Sequence, residues 1–225
     1  MATIYAHTND GYVYTSGSNF PLGRGAYTGA VANSTLTRGA YAIRSDAAPG
    51  RGGSTTYTVT RTFMYFDTSG ISTNVESATL KVYGYSQNSG DIIAVKATSD
   101  ISSLATADFD AITGWNNVSD GSGGGDNESN VTNYSDEIAT WSTSGYNEIT
   151  LTSTALANMR DDDTVYICLM NYDHDLKDIV PTGTNRNGLY YTNYTGTSRD
   201  PYIDYTLAPT VSDNAVFFGT NFWDL

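Results

Sequence analysis

Apolar and polar residues alternate with a period of two along several segments, which is the pattern of a half-buried β-strand. In segment 76–85, alanine, leucine and valine occupy one face, whereas threonine, lysine and tyrosine occupy the other. In segment 61–67, Met64 and Phe66 share one face, opposite two further aromatic residues. Segment 201–207 repeats the alternation. All three segments are therefore predicted to be strands.

A different pattern marks segment 165–170, which is apolar at every position. A strand that is apolar on both sides is expected to be central and covered on both faces. Cys168 lies within it and is interpreted as a small buried hydrophobe, because no basic or histidine neighbour in sequence would activate its thiol. Weaker strand patterns occupy residues 11–15, 54–60, 91–98, 146–152 and 187–193.

Two segments, 153–160 and 107–112, have the composition of short helical turns. Neither is long enough to bury a helical layer. About ten short strands separated by turn residues predict a β-sandwich. We therefore expect an all-β protein with one jelly-roll β-sandwich over residues 1–207, short helical turns, and an apolar C-terminal extension over 208–225.

Two local features modify this outline. Segment 116–133 is polar and glycine-rich, and it is predicted to be a surface loop. The motif Leu-x-Arg-Gly-Ala-Tyr occurs at 22–27 and again at 36–41. The two copies are either the arms of a hairpin or a coincidence, and two copies are too few for a solenoid.

The composition supports strands and turns and excludes one class of partner. The 225 residues include 24 acidic and 11 basic side chains, for a net charge of −13, and twenty of the acids are aspartate. Aspartate favours turns and caps over helix interiors. Because phosphate binding needs clustered lysine and arginine, a nucleic-acid partner is not expected.

The sequence also indicates the cellular compartment in which the protein is made. No window approaches the roughly 18 apolar residues of a membrane span, so membrane insertion is not expected. The first ten residues lack the basic and apolar regions of a secretory signal. The single cysteine cannot close an intrachain disulfide. We expect synthesis in a cytoplasm, without a signal peptide and without disulfides.

Catalytic motifs are absent from the sequence. The nucleophile elbow, the phosphate-binding loop, the dinucleotide fingerprint and the zinc-protease helix do not occur. The two histidines, His7 and His174, lie far apart in sequence. The protein is therefore predicted not to be an enzyme. The alternative is a polysaccharide hydrolase, which needs two carboxylates facing one cleft.

Aspartate-rich turns flank the predicted strand 165–170 and raise the question of calcium, which prefers oxygen ligands. No other cofactor is expected. The alternative is that these turns are merely solvated. The calcium candidates are Asp161, Asp163, Asp173 and Asp175.

Aromatic residues raise the question of sugars. Trp115 and Trp141 lie in or beside polar segments, and the 18 tyrosines exceed what one core can hold. Flat rings with a polar edge can stack on a pyranose, so both tryptophans are candidates for glycan stacking. The alternative is that the rings cover sandwich edges or fill a subunit interface.

Several segments resemble a known family. Arg-Thr-Phe-Met-Tyr-Phe-Asp-Thr-Ser-Gly-Ile at 61–71 and Ala-Thr-Leu-Lys-Val-Tyr at 78–83 are similar to strands of DNRLRE-type jelly-roll domains, also seen in disaggregatase-related proteins. Segments 10–14, 146–152 and 201–205 resemble further strands of these domains. The resemblance implies a jelly roll without catalytic activity, in a carbohydrate-binding or adhesive role. No binding residue is carried over.

The whole chain is also similar in style to small structural proteins of marine tailed phages. That resemblance implies a non-enzymatic structural protein on the virion exterior, in head decoration or a tail or fibre, made in the host cytoplasm. The alternative function is a carbohydrate-binding module or adhesin. The apolar tail is expected to dock on another virion protein or a further copy of the chain, rather than on its own sandwich, through Val216, Phe217, Phe218, Phe222 and Trp223.

Overall fold

The computed structural model describes residues 1–87, 90–98, 103–116 and 125–209. Within these residues the chain forms eleven antiparallel strands. The strands are β1 (Ala2–Tyr5), β2 (Gly11–Gly17), β3 (Val31–Asn33), β4 (Arg38–Pro49), β5 (Thr55–Asp67), β6 (Val75–Gln87), β7 (Ile92–Lys96), β8 (Tyr146–Thr150), β9 (Thr164–Asn171), β10 (Arg186–Tyr190) and β11 (Tyr202–Leu207). The helices are α1 (Phe20–Arg24) and α2 (Ser153–Asp161), with 3-10 turns at Arg51–Gly53 and Thr106–Asp110 and a π turn at Tyr172–Leu176.

The strands form two layers. The front sheet has the order β1, β11, β6, β8. In the back sheet, one edge of the long β5 pairs with β2, which pairs with β3, and its other edge pairs with β4 and then with β9. Strand β9 pairs with β7, and β4 pairs with β10, which reaches the end of β6 and joins the two sheets. The predicted all-β sandwich is confirmed.

The main core lies between the two sheets and follows the predicted alternation. Leu80 and Val82 of the front sheet belong to one buried cluster with Met64, Phe66 and Ile167 of the back sheet. Full burial of such a side chain is worth about 1.5–3 kcal/mol relative to exposure. Helix α2 confirms the predicted helical turn, and its buried residues Ala155 and Met159 belong to the same cluster.

A second core covers the outer face of the back sheet. Phe63, Cys168 and Met170 pack there with Phe109 of the 3-10 turn and Val131 of the segment 125–133. The prediction that β9 is buried on both faces is therefore confirmed. Cys168 is fully buried, and this burial raises the pKa of its thiol far above the usual range, as expected for a structural cysteine.

Other local predictions are corrected. The described part of the predicted surface loop contains Asn127, which is fully buried and whose N–H donates to the Leu176 carbonyl. The two copies of the repeat adopt different structures. The first half of the first copy lies in α1, where the Asn19 side chain accepts from Leu22 N and Pro21 lies in the first turn, and the second copy enters β4.

Two further points concern the C-terminal tail and membrane-spanning helices. The tail residues Val216, Phe217, Phe218, Phe222 and Trp223 lie outside the described residues, so their docking stays a prediction. In the described part of the chain, no helix has both the length and the apolar character needed to cross a membrane.

Candidate functional site

A pocket of about 260 Å³ opens on the back sheet between β2 and β4. Thr60 on its floor lies on the same face of β5 as Met64, because the two residues are four positions apart in one strand. The partly buried Tyr12 and Leu36 line the pocket and pack against the main core. The pocket is therefore an open continuation of the sandwich interior. It is lined by Tyr12, Tyr14, Leu36, Arg38, Gly39, Ala40, Tyr41, Arg44 and Thr60.

Strand register explains why these side chains meet. Tyr14 on β2 and Arg44 on β4 are both paired with Thr60 on β5, so the three residues are direct neighbours on one face. Tyr12 lies two residues from Tyr14, and the two ring centres are 6.2 Å apart. This part of the pocket follows from simple alternation along the strands.

A register shift accounts for the rest of the pocket. Between β4 and β10, pairing steps from Ile43 opposite Asn187 to Gly39 opposite Leu189, so four positions of β4 span only two of β10. Extra residues in one strand redirect side chains. Arg38 and Tyr41, three positions apart, are consequently both exposed and both line the pocket.

Two arginines lie against Tyr41, and a third lines the pocket beside another tyrosine. The guanidinium carbons of Arg44 and Arg186 lie 5.1 and 4.5 Å from its ring centre. The buried Asp46 accepts a 2.5 Å hydrogen bond from Arg44 Nε and lies 3.9 Å from Arg186. The third arginine, Arg38, lies 4.3 Å from the ring centre of Tyr85 and forms no ion pair within the described residues.

A row of tyrosines begins at Tyr85, whose ring lies against the pocket residue Arg38, and continues over the outer face of the front sheet. Successive ring centres are 5.0–5.6 Å apart, mostly edge to face. Cross-strand pairing sets this spacing, because Tyr5 is opposite Tyr202 and Tyr83 is opposite Tyr146. The tyrosine row consists of Tyr5, Tyr202, Tyr146, Tyr83, Tyr190, Tyr85 and Tyr194.

Arg199 lies against the tyrosine row. Its guanidinium carbon is 5.0, 4.5 and 4.9 Å from the ring centres of Tyr83, Tyr190 and Tyr194. Burial, followed by the neighbouring Tyr202, raises the pKa of Tyr146 to about 12, so its phenol stays neutral at physiological pH. The row presents tyrosine rings and an arginine, a composition typical of protein interfaces.

The structure places the two tryptophans differently from the sequence expectation. Trp141 is 5% exposed, belongs to the main core, and donates from Nε1 to the Gly188 carbonyl at 3.1 Å. Its ring has no open face for a sugar. Trp115 is partly exposed, and its ring lies 4.1 and 4.8 Å from the guanidinium carbons of Arg61 and Arg24. Trp115 thus helps to cover two buried arginines.

Asp175 is committed to a buried ion pair rather than to a calcium site. Arg61 donates to both carboxylate oxygens of Asp175, at 2.8 and 2.7 Å, and all three side chains of Arg24, Arg61 and Asp175 are fully buried. Arg61 also donates to the Phe109 carbonyl, and Arg24 to the Gly125 carbonyl. This buried network ties α1 and two loops to the back sheet.

The remaining calcium candidates do not converge with Asp175. Asp161 and Asp163 precede the eight-residue β9, whereas Asp173 follows it, which separates them by roughly 25 Å. Asp161 pairs with Arg160, and the Asp173 N–H faces the Asp91 carboxylate. Among the described residues, no group of three or more metal-binding side chains occurs.

A further buried carboxylate, Asp10, was not singled out by the sequence. It is fully buried and accepts hydrogen bonds from Thr192 N and Oγ1, the latter at 2.6 Å. Burial raises the pKa of Asp10 to about 7, against the lowering effect of the Thr192 hydrogen bonds. Asp10 therefore joins the first loop to the loop after β10.

Comparison of the sequence with known family models and with curated proteins finds no match. Sequence reasoning about sugars chose the tryptophans and missed the pocket residues. The available signal was the alternation Tyr-Val-Tyr at 12–14, which puts two rings on one face. The partners of these rings come from β4, for which no strand was predicted.

Proposed function

We propose that the protein is a non-enzymatic carbohydrate-binding module and that the pocket between β2 and β4 holds the sugar. The observation that carries this proposal is the lining itself, in which three tyrosines, a threonine hydroxyl and two arginines face one cavity. Tyrosine rings offer flat apolar area with a polar edge, and a few convergent donors fix the orientation of a ligand.

The lining favours binding over hydrolysis. A glycosidase requires two carboxyl groups across the scissile bond. Among the described residues that line the pocket there is neither aspartate nor glutamate. The nearby carboxylate, Asp46, is buried and bound to Arg44. We therefore propose recognition of a sugar without its cleavage.

The decisive experiment is a glycan array followed by titration of Tyr41→Ala with the best ligand. Loss of one aromatic contact is expected to weaken binding about tenfold. Tyr27→Ala is the matched control, because Tyr27 is 54% exposed, Tyr41 is 48% exposed, and Tyr27 lies outside the pocket. An array without ligands, or equal effects of both substitutions, would contradict the proposal.

We also propose that the module is a structural protein on the exterior of a virion, where further copies contact the tyrosine row. The supporting observation is the row itself, since tyrosine and arginine are enriched at interfaces. Arg199 forms no ion pair within the described residues, and an acidic chain of net charge −13 offers it carboxylates on a second copy.

Two measurements test this second proposal. Mass spectrometry of purified virions should detect the chain, and its absence would contradict a structural role. Sedimentation of the isolated protein should show self-association that Arg199→Glu abolishes. Arg51→Glu is the control, because Arg51 is exposed and lies outside the row. Equal association of wild type and Arg199→Glu would exclude the row as the contact.

A further inference from the structure

The charge around the pocket is opposite to the charge of the protein. The chain has 24 acidic and 11 basic residues, yet Arg38 and Arg44 line the pocket and Arg186 lies against its Tyr41, with one nearby carboxylate, that of Asp46. Asp46 also accepts from Asn185 N at 2.7 Å. The local surplus of positive charge therefore remains after every contact of Asp46 is counted.

Donors for an anion remain open in the pocket. Arg44 donates to Asp46 through Nε, and the described residues provide no acceptor for its two terminal nitrogens. Arg38, on the same strand, is exposed, lies against Tyr85 and interacts with the Tyr190 hydroxyl, and it forms no ion pair within the described residues. Guanidinium groups bind carboxylates and sulfate-like oxyanions through paired donors. Both side chains line the pocket, so its wall offers guanidinium donors to an anion.

The other lining groups indicate what carries the anion. Tyr14 and Tyr41 provide ring surfaces, and Thr60 provides a hydroxyl at the floor. A simple inorganic anion needs no aromatic surface, and a neutral sugar needs no open arginine. A volume of about 260 Å³ is at the lower end for ligand pockets, which suits one sugar ring of a longer chain.

We propose that the pocket selects an acidic sugar residue, with its anionic group held by Arg38 and Arg44 and its ring against the tyrosines. This inference rests on the proposed carbohydrate-binding function. The anionic group is a carboxylate or a sulfate ester. Binding of a carboxylated saccharide or of a sulfated saccharide tells the two groups apart. In either case the acidic group, rather than the ring alone, provides selectivity.

The test is calorimetric titration at 0.15 M NaCl with four probes. These are a tetragalacturonate, a carrageenan tetrasaccharide, an uncharged galactotetraose and a short polyglutamate. We expect one of the two acidic saccharides to bind at least tenfold more tightly than the uncharged one. Arg38→Gln should weaken the acidic saccharide about tenfold and leave the uncharged one unchanged.

Control measurements separate the acidic-sugar inference from the carbohydrate-binding function on which it rests. Arg51→Gln, an exposed arginine outside the pocket, should leave all affinities unchanged, and Arg38→Gln should retain the melting temperature of the wild type. Equal or tighter binding of galactotetraose would overturn the acidic-sugar inference while the carbohydrate-binding function stands. Polyglutamate binding as tight as the saccharide would also overturn it. Failure of every saccharide would overturn both.

Discussion

Two arginine clusters in this protein combine the same chemical groups for different purposes. In the buried network, Arg24 and Arg61 pair with Asp175 beneath Trp115 and Phe109, and all three charged side chains are fully buried. In the pocket, Arg38 and Arg44 lie against tyrosines, Arg38 exposed and Arg44 partly buried. The guanidinium groups of the first cluster each donate to several acceptors of the chain, whereas the terminal nitrogens of Arg44 find no acceptor among the described residues.

The difference shows how burial decides the role of an arginine. A buried guanidinium must find partners for its donors, because an unpaired buried charge costs several kcal/mol. An arginine at an open pocket is solvated and pays that cost only when a ligand displaces water.

Removing one partner of the buried pair should have the largest effect. Asp175→Asn leaves Arg61 buried without a counter-charge, and we expect a loss of about 3–5 kcal/mol in the free energy of unfolding, measured by urea denaturation. The double variant Arg61→Met with Asp175→Leu should lose less than the single variant. A loss below about 1 kcal/mol for Asp175→Asn would mean that the pair does not stabilise the fold.

Asp10 is a buried carboxylate whose hydrogen-bond partner is a threonine rather than an arginine. Its pKa is about 7 in the folded protein against an ordinary value of 3.8, so between these two pH values the folded state binds more protons than the unfolded state. The contribution of Asp10 is therefore most favourable below pH 4 and is lost as pH rises through 7. The full difference is at most about 4 kcal/mol.

Asp10→Asn should remove this pH dependence, because its side-chain oxygen still accepts from Thr192 but carries no charge. The variant should match the wild type at pH 4 and exceed its free energy of unfolding at pH 8. Parallel stability curves for the two proteins across this range would contradict the raised pKa. The comparison between variants cancels the titration of the other carboxylates.

Trp115 packs over the buried arginines, and its removal measures how much this packing stabilises the fold. Trp115→Leu removes the ring above Arg61 and Arg24, and we expect a loss of about 1–2 kcal/mol in the free energy of unfolding. Saccharide affinity should not change, because Trp115 does not line the pocket. A loss of affinity without a loss of stability would return Trp115 to the role of a glycan-stacking residue.

The smallest effect on stability is expected in the pocket. Arg38→Met should change the free energy of unfolding by less than about 0.5 kcal/mol, since Arg38 is exposed and forms no ion pair among the described residues. The same variant should lose affinity for acidic saccharides. A stability loss comparable with that of Asp175→Asn would erase the distinction between the two clusters.

Alternation along the chain predicts most of the strands. Alternation places Leu80 and Met64 in the main core, and the uninterrupted apolar run 165–170 correctly indicates burial on both faces of β9. The helix α2 also follows from its local sequence, with Thr152 as the capping residue one position before the expected start. These features depend on neighbours within a few residues, so they can be inferred without coordinates.

Long-range strand pairing brings the polar and aromatic residues of the site together. Arg61 and Asp175 are 114 positions apart, and no local pattern distinguishes this aspartate from the solvated ones. Trp141 stands beside polar residues yet is buried, because its ring reaches Gly188 across 47 positions. The pocket depends on β4, whose register shift breaks the alternation that sequence analysis relies on. Strand pairing across long separations, which alternation does not encode, therefore determines the site.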